Sequence, residues 1–408
     1  MSSIAAFSVR VAALGQFRLP ELELVQGFND PNSAIWQTLA GWEGGPAQFT
    51  SVLSGQLSVA ACSLPGGQAC VFLTSIVDGA VQYMPFARQG TDSMGLNPNW
   101  QSINFPEYVA YPVRVNAAQL NDGTVQVFVW ATYNNPNTAA LGGQVLYSCW
   151  QRIVGTPGPA ANGFTHLTTF EPQPDSGNWQ GDLPPSGVST PFASASLPDG
   201  RLQLWTLVTN PAIGGGQLIY TCCKQSTASH APWSAWATVP ATVPATIAAD
   251  STLVLSSIAA CAGPAAGEQF YRVYDTLEGT TIVDSVQQVY LFGITAPDFS
   301  LNQTGGLLVM TSFAPDPAAP APSELAWGPL PQMTGFPQEA TAADLTVVAL
   351  PNAGIQVFVA TVPPGGGTAT IYTQSFLAHD VRTRSPIQTL PDGEFVYWAW
   401  SDWKRLRT

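Results

Sequence analysis

Charge is the scarcest commodity in this chain of 408 residues: only 10% are Asp, Glu, Lys or Arg, and the formal net charge is −13. An acidic surface repels phosphates and anionic lipid, so nucleic acid and anionic membrane are not expected as partners. No run is long and apolar enough to span a bilayer as a helix. Residues Met1 to Leu19 lack a basic leading segment and are interrupted by Arg10, so no signal peptide is expected; the expectation is a cytoplasmic chain or one released by a non-classical route. Histidine is nearly absent, with His166, His230 and His379 the only three. None sits beside a motif with a nucleophile or a metal pair, and no G-x-S-x-G, H-E-x-x-H or phosphate-cradling glycine loop occurs. The six cysteines match no zinc spacing. Cofactors and metals are therefore not expected. The carboxylates that a glycosidase would need, Asp175, Asp182, Glu268, Asp275, Glu278 and Asp284, show no spacing that singles out a pair.

What the chain does have is a phrase that returns. It reads Leu197-Pro198-Asp199-Gly200-Arg201-Leu202-Gln203-Leu204-Trp205, and earlier Leu120-Asn121-Asp122-Gly123-Thr124-Val125-Gln126-Val127-Phe128. Later it reads Leu350-Pro351-Asn352-Ala353-Gly354-Ile355-Gln356-Val357-Phe358, with a degraded copy at Leu64 to Phe72. Each copy is a strand end, a glycine-bearing turn and an alternating strand. A second strand follows, as in Gln144 to Cys149, Gln217 to Cys222 and Thr370 to Gln374, and then a Trp-centred tail, clearest at Trp233-Ser234-Ala235-Trp236. In the degraded copy, counting inward from the turn pairs Cys62 with Cys70, Ser63 with Ala69 and Leu64 with Gln68, which makes a cross-strand disulfide geometrically plausible.

Four short strands in meander order, repeated, predict an all-β chain. One such sheet cannot bury both of its faces alone, whereas a ring of them can. The expectation is a single β-propeller domain over 1–408, with blades at about 50–105, 111–170, 188–240, 250–334 and 343–391. The last blade would join 1–48 to 392–408, making six. The fourth span holds more strand than one blade needs.

Saccharides offer an apolar ring face and a rim of hydroxyls, and are met by aromatics beside planar polar groups. The repeat supplies both, so the candidate ligand-binding residues are Trp233, Trp236, Tyr220, Arg201, Asp199, Tyr147, Asp122 and Tyr372. Equivalent aromatics in a repeat also serve as blade-to-blade core. The order Asp199 to Trp205, then Gln217 to Tyr220, then Trp233 to Trp236 resembles the repeat of β-propeller lectins of the Photorhabdus type. The resemblance implies shallow pockets between blades, multivalent binding of fucose-like sugars and no catalysis. The tail lacks its tryptophans at Thr165-His166-Leu167 and Ser385-Pro386-Ile387. Asp175 to Trp179 is similar to the Asp-box turn of sialidases, but without its leading Ser or Thr and with the Trp one residue early; it reads as an Asx turn. The expected function is thus a multivalent, non-enzymatic lectin that binds glycans and is compatible with homo-oligomers. A structural or adhesive subunit and a propeller-fold glycosidase are the alternatives.

Overall fold

The computed structural model describes residues 59–64, 68–75, 80–89, 93–96, 101–104, 109–120, 124–134, 141–152, 171–172, 191–209, 217–228, 231–244, 247, 253–270, 272–275, 281–284, 286–296, 306–319, 321–331, 341–350, 354–363, 370–380 and 395–405. These residues are all-β, and no helix among them is long and apolar enough to cross a membrane. They fall into two compact units, the first ending at Pro240 and the second running on from Ala241.

The first unit carries three antiparallel sheets. The first sheet runs Val59–Leu64, Gln68–Ser75 and Ala80–Gln89, with Ser93–Leu96 and Gln101–Asn104 both pairing with the third strand. The second is Val109–Gln119, Thr124–Asn134, Leu141–Arg152 and Glu171–Pro172. The third is Phe192–Ser196, Leu202–Thr209, Gln217–Cys223 and Ala237–Val239. Each opens as a meander, its first three strands pairing in chain order. The turn at Leu197 to Arg201 shows how. Gly200 takes φ 84°, its N–H donates to the Leu197 carbonyl at 2.8 Å, and the Leu197 N–H donates to the Arg201 carbonyl at 2.7 Å. That is a three-residue hairpin loop, whose left-handed position glycine alone fills without strain. Leu350 N–H bonds the Gly354 carbonyl at 2.7 Å in the same way. Around the degraded copy, Cys62 pairs with Cys70, Ser63 with Ala69 and Leu64 with Gln68, the register that inward counting gives. The Cys62 thiol is free and buried.

In the second unit the fourth sheet is Leu255–Pro264, Gln287–Thr295, Leu308–Phe313 and Gly328–Pro329. The fifth is Thr341–Ala349, Ile355–Val362, Thr370–Asp380 and Phe395–Trp400, with Lys404–Arg405 also on the third strand. A short parallel pair joins Ala241–Thr242 to Leu325–Ala326. The surplus strand of the fourth span has a definite place. Gly267–Phe270 leaves its own sheet and pairs with Phe395–Trp400 at the outer margin of the fifth, and Arg272–Asp275 forms a hairpin with Thr281–Asp284. This corrects the expected closing blade. The C-terminal strand, expected to stand in a sheet with the N-terminal strands, is instead the fourth strand of the sheet at 341–380. Its alternation explains the choice: Val396 and Trp398 point into a core already built by Tyr290, Phe292, Ile355, Val357 and Phe376, and would be wet elsewhere. Residues 1–58, with the expected strands at Val9 to Leu14, Leu22 to Val25 and Ile35 to Leu39, lie outside the described residues.

The second strands carry the packing argument. Leu202 to Val208, Ile355 to Thr361 and Val289 to Thr295 are buried at every position, not at alternate ones. A sheet with one wet face would show alternation, so these sheets are covered on both faces. One cover lies in each unit: Leu120, Phe128 and Trp130 meet Phe192, Leu202, Leu204 and Cys222 between the second and third sheets, and the fourth and fifth share the core named above. Between these last two, Gly263 admits Ile355 so closely that a Cβ would lie 2.6 Å from its Cγ1.

Candidate functional site

The third sheet brings four of the eight expected site residues, Asp199, Arg201, Trp233 and Trp236, toward its turn end. Asp199 Oδ2 accepts from Arg201 Nε at 2.7 Å, and Oδ1 accepts from the Arg201 N–H at 3.0 Å. The Asp199 side chain is 37% exposed and that of Arg201 13%. Two residues past the turn, Gln203 pairs with Cys223, which brings the tail to the same end. The Ser234 hydroxyl accepts from the Cys223 N–H at 3.0 Å and donates to the Ala235 carbonyl at 3.1 Å, and the Ser234 N–H donates to the Cys223 carbonyl at 2.8 Å. The Cys223 thiol is pushed up to about 11, mostly by burial; Arg201 opposes the shift and Asp199 adds to it. It is an inert thiol at neutral pH.

Trp233 and Trp236 are half-buried and pack against the core between the second and third sheets. Trp233 meets Phe128 edge to face at 5.7 Å, and the ammonium of Lys224 lies 5.7 Å above its ring. Lys224 is fully buried, and its Nζ donates to the Ala228 carbonyl at 3.2 Å. Tyr220 lies three residues down the strand from Cys223, opposite Thr206 and Thr238, roughly 10 Å from the turn end at 3.4 Å per residue. Tyr147 stands opposite Val129 and Tyr372 opposite Val359, the same register position in the second and fifth sheets. Tyr372 belongs to the second unit and packs against its core. Asp122 lies outside the described residues, as do Asp175, Asp182, Glu278, His166 and His230.

The fifth sheet repeats the tail part of this arrangement, without the Asp–Arg pair, at residues outside the expected copies. Its tail, which the sequence appeared to lack at Ser385 to Ile387, is Trp400-Ser401-Asp402-Trp403. The Ser401 hydroxyl accepts from the Ser375 N–H at 3.0 Å and donates to the Asp402 carbonyl at 3.0 Å, and its N–H donates to the Ser375 carbonyl at 2.8 Å. Phe376 faces Trp400 where Lys224 faces Trp233. Thr373 donates to the Val357 carbonyl at 2.9 Å as Thr221 does to that of Leu204 at 2.7 Å. The string W-S-x-W, present at both places, was the signal that could have found it. A second missed residue is Asp344. It sits at a β-bulge in the first strand of the fifth sheet, and its Oδ1 accepts from the Ser257 hydroxyl at 3.0 Å and from the Leu345 N–H at 2.9 Å. Among the described residues no three His, Cys, Asp or Glu gather as a metal site requires.

No known family's sequence profile matches the chain, and no curated protein does. Solved structures do. A protein of unknown function from Dyadobacter fermentans is 12% identical, covering 86% of this chain and 94% of its own, at a TM-score of 0.39. An α-L-arabinanase from Cellvibrio cellulosa is 9% identical, covering 78% and 90%, at 0.35. A levansucrase from B. megaterium is 11% identical, covering 95% and 98%, at 0.39. Likenesses of this size transfer no residue roles. They do correct one expectation: enzymes stand among the structures this chain resembles, so the exclusion of catalysis drawn from its sequence does not hold.

Proposed function

We infer that this protein recognises glycans and that its sheets are blades of a single β-propeller. Burial of both faces of the second strands supports sheets stacked on sheets. The observation that carries the function is the turn-and-tail corner of the third sheet. A partly exposed carboxylate and a planar guanidinium are locked together at the end of the sheet to which the half-buried tryptophan tail also returns. Planar donors and acceptors next to an aromatic wall are what a hydroxylated ring with one apolar face requires. The fifth sheet repeats the tail serine clamp and its tryptophans but carries Asn352 and Gly354 where the third has Asp199 and Arg201, so the support for several sites per chain, and for avidity on a surface bearing many sugars, is the recurring tail alone. The W-S-x-W pair also supports the kinship with Photorhabdus-type repeats and fucose-like ligands.

The test is a glycan array with the intact protein beside Arg201→Ala. Loss of the bound set in the variant, at unchanged thermal stability, supports the corner. A blank array for the intact protein, or one identical for both, overturns it.

A second reading, cleavage or transfer at a glycosidic bond, is favoured by Asp344, a carboxylate at a bulge of a first strand, a place where side chains are re-aimed. Release of chromophore from aryl glycosides by the intact protein and its loss in Asp344→Asn would select this reading.

A further inference from the structure

The surplus strand of the fourth span builds a surface of its own. Directly opposite one another across Gly267–Phe270 and Phe395–Trp400 stand Phe270 and Phe395, and next along, Glu268 and Tyr397. Tyr397 stands in turn opposite His379 of Thr370–Asp380. Opposed residues share a face, and alternate residues take the other. Gln269, Val396 and Trp398 are buried on the core side, so the phenylalanines, Glu268, Tyr397 and His379 are on the reverse side. There Phe270 is 43% exposed and Phe395 65%. Their ring centroids are 5.4 Å apart at 59°. Large aromatics exposed singly need no explanation, but two in contact across the seam with a strand inserted from another sheet do.

We propose that this margin of the fifth sheet is a binding platform for a neutral saccharide. The aromatic row Phe270–Phe395 and the polar row Glu268–Tyr397–His379 run side by side across the strands. Successive positions on one face are about 7 Å apart, close to the width of a pyranose. A sugar with its apolar face on Phe395 therefore presents its hydroxyl rim to a carboxylate and a phenol, both able to bond hydroxyls, with the His379 imidazole behind them, its Nε2 buried. The carboxylate, in a chain of net charge −13, disfavours sialic and uronic acids. The proposal rests on the glycan reading but places this contact in the unit that does not hold Asp199 and Arg201. It also gives the inserted strand a purpose, since without Gly267–Phe270 the platform loses Phe270 from one row and Glu268 from the other.

The experiment is fluorine NMR of the intact protein carrying 4-fluorophenylalanine, with two resonances assigned by Phe270→Leu and Phe395→Leu. The probes are methyl glycosides of glucose, galactose, mannose, fucose and N-acetylglucosamine, with cyclohexanol as an apolar control. The expected result is a saturable shift of both resonances with at least one glycoside and none with cyclohexanol. Phe395→Ala should weaken that binding about tenfold. Glycosides that move other fluorine resonances but not these two overturn the platform and leave glycan recognition standing. No movement anywhere overturns both. An equal response to cyclohexanol reduces the surface to a greasy patch, and shifts that depend on protein concentration alone make it a contact between copies; either overturns the proposal.

Discussion

Replacing Ser401 with alanine probes the tail clamp at a single oxygen. That oxygen accepts the Ser375 N–H and donates to the Asp402 carbonyl, and Ser375 is buried. Alanine removes two hydrogen bonds, worth about 1 kcal/mol net each, and leaves a buried amide whose desolvation alone costs about 1–3 kcal/mol. The expected loss is about 2–3 kcal/mol. Read locally, a loss of 2 kcal/mol is about a thirtyfold rise in the opening constant of the Ser375 amide, which hydrogen exchange measures without assuming that both units melt together. Ser234→Ala should do the same to the Cys223 amide, which the same geometry holds. Because the two clamps lie in different units, the double variant should show each local effect undiminished. Exchange at Ser375 within twofold of the parent protein would refute the reasoning and reduce the shared serine to coincidence.

Trp233→Ala should cost about 1–3 kcal/mol, since the half-buried ring packs against Phe128; an unchanged urea midpoint would count against that packing. Lys224→Met should leave stability unchanged or raised, because a buried ammonium is exchanged for an apolar chain at a position where the fifth sheet carries Phe376; a drop of more than about 2 kcal/mol would show that the charge is needed. Gly263→Ala should destabilise by about 1–3 kcal/mol through the clash with Ile355, and Ile355→Val should recover part of the loss. Burial pushes the Cys62 thiol up to about 12 and raises Cys261 further. Unfolded thiols lose their protons near pH 9 while these keep theirs, so stability should fall as pH rises above 9, by about 1.4 kcal/mol per pH unit for each thiol. Cys62→Ala should lessen that slope, and an unchanged slope in urea titrations between pH 9 and 11 would count against it.

The hairpins were legible because their information is local. Turn residues and alternation fixed the pairing of Cys62 with Cys70 residue for residue, and the shared Gln203 and Gln356 mark strands buried on both faces. The place of Gly267–Phe270 was not legible, since its partner strand begins at Phe395 and no local pattern names it. The second tail was hidden by the long stretch between Asp380 and Phe395, although its letters repeat those at Trp233. For the site, Asp199 and Arg201 were readable as turn neighbours, whereas Asp344 depends on a bulge and on a partner in another sheet, which spacing cannot announce. The tryptophans showed the ambiguity of any repeat: one letter serves core and contact alike, and only packing against Phe128 indicates which role dominates.

The pairing of Gly267–Phe270 with Phe395–Trp400 also sets a schedule. During synthesis the first of these strands emerges about 125 residues before its partner, which at about 5–20 residues per second leaves it waiting about 6–25 s. Throughout that interval an edge bearing Phe270 has no neighbour to pair with, and unpaired strand edges recruit other chains. Slowed translation of the last hundred residues should therefore raise the aggregated fraction more than slowed translation of the first hundred.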